Sequence, residues 1–153
     1  MNVNFKLLPQ AVVSVRPKDK QEALECVAQT FAQVYGVDAH DTLDGLEERE
    51  HLGSTGFGRG VAIPHARSTQ INRPTVVLLR LESPVDFAAA DGMPVNIIFG
   101  MLSPENAGVT HLHALASISR LVRDDAIHQS LSETSDPEAL FAVLSNRLEC
   151  DAA

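Results

Sequence analysis

Apolar residues at Leu24, Val27, Phe31 and Val34 recur at three- and four-residue steps within 18–36 and stop ahead of Gly36. Side chains so spaced share one face of a helix, so the segment is predicted to be an amphipathic helix. The β-branched run VVSV, 12–15, predicts a short strand before it. A second helix is predicted over 38–53, with Asp38 as its N-cap, Leu43 and Leu46 on one face, and Gly53 as its stop. Gly45 weakens that helix.

The runs PTVVLLRLE, 74–82, and PVNIIFGML, 94–102, are apolar at nearly every position and bounded by proline and turn residues. Such continuity predicts central strands, since an edge strand would alternate. After Pro104, VTHLHALASISRLV places Leu112, Leu115, Ile118, Leu121 and Val122 at helical spacing, and AIHQSL and PEALFAVLSNRL fit two shorter helices. Strand and helix do not alternate strictly. The expected fold is therefore α/β of the α+β kind, a mixed sheet flanked by helices on both faces, forming a single domain over 1–150.

Composition narrows the function. A chain of 153 residues with 44% hydrophobic content is long enough for one full core, since domains near this size bury roughly 68–70% of their unfolded surface. Its net charge of -8 opposes phosphate backbones and anionic lipid, which argues against nucleic acid and membrane as partners. The N-terminus lacks the apolar stretch of a secretory signal, and no segment reaches the ~20 apolar residues of a membrane span, so a cytoplasmic location is expected. Two cysteines, Cys26 and Cys150, lie too far apart in sequence for a metal or redox motif and are read as reduced thiols, the first buried and the second in a loose tail.

The candidate chemistry lies in STGFGRGVAIPHAR, 54–67. GFGRG, 56–60, leads into the strand-like VAI, whereas a dinucleotide fingerprint needs G-x-G-x-x-G opening a helix and a P-loop needs G-K-[ST], so nucleotide binding is disfavoured. Gly56 and Gly58 can instead keep side chains clear of a phosphoryl group or of a partner's backbone. Pro64 has no N–H and a fixed φ, and is expected to end sheet pairing so that His65 projects from a strand end. Of six histidines, His65 alone has such a setting. In H-L-H, residues two apart face different sides of a helix, so no metal site is predicted; His111 falls on the inward flank and His113 on a polar one. Ser54 and Thr55 can bond a phosphoryl oxygen or cap the turn, and Asp86 and Asp91 read as turn residues.

The segment REHLGSTGFGRGVAIPHAR, 49–67, resembles the signature of the enzyme IIA proteins of the phosphoenolpyruvate-dependent phosphotransferase system, in the mannitol/fructose/nitrogen-regulatory class. The likeness continues through SPVDFAAADGMPVNIIFGML, 83–102, and THLHALASISRLVRD, 110–124, and covers about Phe5 to Leu148. It implies a phosphoryl carrier in which His65 accepts phosphate through Nε2 from a small histidine phosphocarrier protein, with Arg49 and His111 beside it and Thr55, Ser54, Gly56 and Gly58 around the phosphoryl group. No cofactor or metal is implied. Ala66 and Arg59 depart from the family's commoner glycine and asparagine. With no IIB or IIC segment in these residues, the resemblance implies the nitrogen-regulatory branch, a phosphorylation signal acting on regulatory target proteins. Two alternatives stay open: a sugar-specific IIA donating to a separate IIB domain, and a binding module that is never phosphorylated.

Overall fold

The computed structural model describes residues 4–152, and the side chains of residues 4–147. Strand β1 (Val12–Val15) leads through a turn to helix α1 (Lys20–Tyr35), and helix α2 (Ala39–His51) follows. Both helices start where an aspartate carboxylate accepts an otherwise orphaned backbone N–H: Asp19 from Glu22, and Asp38 from Asp41. Gly36 closes α1 at φ +75°, a conformation open to glycine at little cost. Three short strands come next, β2 (Gly56–Gly58), β3 (Val61–Ala62) and β4 (His65–Ser68). Two long strands, β5 (Thr75–Val85) and β6 (Val95–Pro104), then precede helices α3 (Val109–Arg123), α4 (Asp125–Glu133) and α5 (Pro137–Ala152).

The sheet runs in the order β1-β5-β6-β3-β2, with β4 also paired to β6. β1 is parallel to β5, β5 antiparallel to β6, and β3 and β4 are both parallel to β6. The sheet is therefore mixed, and its two most apolar runs are the inner strands. Alternation along β6 separates the helical layers: a Cβ at Gly100 would meet Val27 and Phe31 of α1, while Ser103 bonds His111 of α3. Helices cover both faces, as the pattern predicted.

Gly100 marks how closely α1 approaches the sheet. An added Cβ would lie 2.6 Å from Val27 Cγ1 and 2.9 Å from Val77 Cγ2. Gly100→Ala is accordingly expected to destabilise the fold by about 1–3 kcal/mol through overpacking. Urea unfolding of the variant checks this, and an unchanged midpoint would show that α1 shifts freely.

Several local readings change. β5 runs past Glu82 to Val85, since a register shift between Arg80 and Val85 takes up Pro84, which has no N–H to donate. The inward stripe of α3 is His111, Ala114, Ser117, Ile118, Leu121 and Val122, whereas Leu112 is 63% exposed. Ser117 tolerates burial because its Oγ accepts from Asn4 at 2.6 Å and from Arg120 at 3.2 Å. Cys26 is half-buried rather than buried, and the Cys150 side chain falls outside the described residues. Among the described residues no helix is long and apolar enough to cross a membrane.

Candidate functional site

Residues 56–62 form a hairpin and not an open loop: β2 pairs antiparallel with β3, turning at Arg59 and Gly60 with φ 60° and 81°. The turn is anchored away from His65, because Arg59 donates to Asp125 Oδ1 at 2.6 Å and to the carbonyl of Arg123 at 3.3 Å. Its glycines make room for protein. A Cβ at Gly56 would strike Ala89 at 2.7 Å, and one at Gly58 would meet Asp91 at 3.2 Å. Asp91 accepts from Arg59 and Met93, and Asp86 accepts from Ala88, as turn residues do.

Pro64 does not end the sheet. It contributes no N–H, but its carbonyl accepts from Met101 at 3.0 Å, and pairing resumes at once with His65 opposite Met101. His65 thus opens β4 instead of closing β3. The restriction that proline imposes falls on the crossing between the two strands. There the His65 ring turns back so that Nδ1 lies 2.8 Å from the Ile63 carbonyl. A carbonyl oxygen only accepts, so Nδ1 carries the proton and Nε2 keeps its lone pair.

His65 is half-buried in a cleft of about 410 Å³. One wall is α2 and its C-cap, through Gly45, Glu48, Arg49 and Leu52; the other parts are Ala66 and Arg67 of β4, Glu105, and His111 in the first turn of α3. The His65 and His111 rings are 5.6 Å apart, centroid to centroid. Arg49 Nη1 donates to the Gly53 carbonyl at 2.8 Å, which fixes one arm of its fork. The unpaired N–H groups of the first turn of α3 give this end of the helix a positive potential, and Gly108 at the N-cap supplies no side-chain cap. The cleft brings two arginines and a helix N-terminus together, donors suited to an anion, with the Glu48 and Glu105 carboxylates on the same walls.

Both rings are held neutral. Burial pushes the His65 imidazole below its ordinary 6.5, as do the Arg49 and Arg67 cations, against the opposing pull of the Ile63 carbonyl and Glu50. Burial, with Arg67 and His65, lowers His111 to about 4. His111 therefore binds fewer protons folded than unfolded between about 4 and 6.5, so its contribution to stability is present above pH 6.5 and is lost as pH falls through that window. His111→Gln is expected to flatten the acid side of the stability profile, as read by urea unfolding at pH 4.5 and 7; parallel profiles would show that His111 does not titrate this way.

The sequence-derived candidates divide. His65, Arg49 and His111 line one cleft, whereas Thr55, Ser54, Gly56 and Gly58 are not among its lining residues. The Thr55 hydroxyl donates to Glu50 Oε2, and Thr55 N–H donates to Glu50 Oε1 at 3.0 Å. Ser54 Oγ donates to the Phe87 carbonyl at 2.6 Å and accepts from Gly56 N–H at 3.0 Å, so it caps the turn. His113 is exposed, and His128 lies against the Arg59 carbonyl.

Four contributors were missed. Arg67 reaches the cleft because residues two apart on a strand share a face with His65, and its Nη1 also donates to the Ala107 carbonyl ahead of α3. Gly45, read only as a weak point, lets α2 approach β4, since a Cβ there would sit 3.1 Å from Ala66 Cβ. The Glu50 side chain is buried, with Lys20 Nζ at 2.9 Å, and its charge acts on His65. Ser103 lies under His111, its Oγ 2.7 Å from Nδ1. Alternation in HARS exposes the first of these to sequence reasoning; the others depend on which elements pack together. Among the described residues no group of three or more histidine, cysteine, aspartate or glutamate side chains is placed to hold a metal ion.

Over residues 7–147 the chain matches the family described as the phosphoenolpyruvate-dependent sugar phosphotransferase system, EIIA 2. It is 36% identical over 146 residues to a nitrogen regulatory protein of Bradyrhizobium diazoefficiens, covering 95% of each chain. It is 32% identical over 146 residues to the fructose-specific EIIA component of Haloferax volcanii, covering 94% of this chain and 95% of that one. Among solved structures it superposes on the nitrogen regulatory protein IIA-Ntr of Neisseria meningitidis with a TM-score of 0.83 at 34% identity, covering 90% of this chain and 95% of the other.

Proposed function

The chain belongs to the EIIA 2 family of the phosphoenolpyruvate-dependent sugar phosphotransferase system, and on that premise we propose that it is a cytoplasmic phosphoryl carrier whose His65 is the acceptor. The observation that carries the reading is the hydrogen bond from Nδ1–H of His65 to the Ile63 carbonyl, which leaves a free Nε2 lone pair in a cleft that also holds Arg49 and Arg67. The donor is a small histidine phosphocarrier protein. Its N–P bond breaks as the bond from phosphorus to His65 Nε2 forms, and the electron pair of the old bond returns to the departing ring. No separate base is needed, because the lowered pKa keeps His65 neutral at pH 7.

Phosphoryl transfer of this kind gains chiefly from positioning and charge stabilisation. Arg49 and Arg67 face the developing charge on the phosphoryl oxygens. The Ile63 carbonyl becomes a better partner as the phosphorylated ring gains positive character, since a charged donor strengthens the bond. The phosphoryl state then acts as a signal to regulatory target proteins, a reading supported by the nitrogen regulatory relatives. The similarity to a fructose-specific EIIA component favours a second reading, donation to a IIB domain.

Incubation with phosphoenolpyruvate, enzyme I and the phosphocarrier, followed by intact-mass measurement, tests the proposal. One acid-labile phosphoryl group is expected on the wild type and none on His65→Ala. Equal labelling of both, or none on either, would sink the carrier reading and leave a binding module. Discharge of the label onto a purified sugar-type IIB domain would favour the second reading over the first.

A further inference from the structure

We propose that Ser103 is a positioning residue whose hydroxyl holds His111 in the tautomer that presents Nε2–H to a phosphoryl group on His65. The inference rests on the carrier reading for its consequence, but its tautomer stands on the geometry of the unphosphorylated chain.

Ser103 lies fully buried in β6, opposite Arg67 of β4, with Oγ 2.7 Å from His111 Nδ1. Two proton arrangements satisfy that distance. If Nδ1–H donated, the hydroxyl proton of Ser103 would be buried without an acceptor, whereas the reverse leaves only surplus oxygen lone pairs unmatched, a smaller loss. Ser103 therefore donates, Nδ1 accepts, and the proton of the neutral ring sits on Nε2. His65 has the opposite arrangement, because its Nδ1–H is bound by the Ile63 carbonyl. Two rings 5.6 Å apart thus offer one Nε2 lone pair and one Nε2–H.

Burial and the Arg67 cation favour the neutral form of His111. Arg67 and His65 face it from β4, while Arg49 and Glu48 of α2 and Glu105 line the remaining walls. A neutral N–H steadies the phosphoryl oxygens without adding a third full cation to the two arginines. This suits a carrier, since a group bound too tightly in its resting state is slow to leave.

Long-range ¹⁵N–¹H NMR of the unphosphorylated wild type is expected to show His111 protonated at Nε2. A proton on Nδ1 would overturn the proposal, whether or not the chain accepts phosphate. In Ser103→Ala the His111 tautomers are expected to mix, and transfer from the phosphocarrier to slow about fivefold, the worth of one ordinary hydrogen bond. Because Ser103 acts through His111, Ser103→Ala should bring no further slowing in a His111→Ala background. Additive losses there, or an unmixed tautomer in the single variant, would overturn the assignment. If the wild type took no label at all, the carrier reading would fail while the NMR result still decided the Ser103 assignment.

Discussion

Arg49→Ala is expected to slow phosphorylation of His65 about a hundredfold, the usual loss when one preorganised donor to a developing oxyanion is removed. The size follows from geometry. Arg49 lines the same cleft as His65, and one arm of its guanidinium is fixed by the Gly53 carbonyl, so in the proposed transfer the rest of the fork would meet the phosphoryl oxygens with little reorganisation. Lysine would keep the charge and lose the planar fork, so Arg49→Lys should recover only part of the rate. His113→Ala provides the control, being exposed on α3. Stopped-time mass measurement of label uptake distinguishes the three variants, and equal rates for Arg49→Ala and His113→Ala would remove Arg49 from the mechanism.

The second large effect concerns stability. Glu50→Ala is expected to destabilise the fold by about 3 kcal/mol, because it leaves a partly buried Lys20 ammonium without its carboxylate. It also strips the acceptor from Thr55, whose N–H and hydroxyl both end on Glu50. The Lys20 side chain is 28% exposed, so the loss should fall at the low end of the range for a broken buried pair. This knot ties α1 and the end of α2 to the segment leading into β2. Glu48→Ala, an exposed change two residues away, should move stability by less than about 0.5 kcal/mol. Urea unfolding that gave the same midpoint for both variants would show that the buried pair contributes little.

Most of the architecture was readable from periodicity. The two inner strands announced themselves by continuous apolar runs, and the helices by their spacing and caps. What periodicity could not supply was the course of 54–68. Two- to four-residue strands such as β3 and β4 leave too few positions for a pattern, and Pro64 signals a break in pairing although its carbonyl still bonds Met101. The glycines of GFGRG suggested space for a ligand. Their room is taken by Ala89 at Gly56, Asp91 at Gly58 and Asn96 at Gly60, contacts distant in sequence that no local pattern reveals.

The site was legible where chemistry forced a residue type and obscure where packing chose it. His65 stood out through Pro64, and the inward flank of α3 selected His111 over His113. Ser54 and Thr55 are equally suited to an oxyanion or to a turn, and the structure gives their hydroxyls to the Phe87 carbonyl and to Glu50. Ser103 and Gly45 gain meaning only once β6 lies under α3 and α2 against β4.

The central claim is that the Nε2 nitrogen of His65 carries the phosphoryl group. It is tested most directly by long-range ¹⁵N–¹H NMR of the protein after incubation with phosphoenolpyruvate, enzyme I and the phosphocarrier. A phosphoryl group on His65 Nε2, with Nδ1 still protonated against the Ile63 carbonyl, is the predicted result. Phosphate on Nδ1 of His65, or on any other side chain, would contradict it.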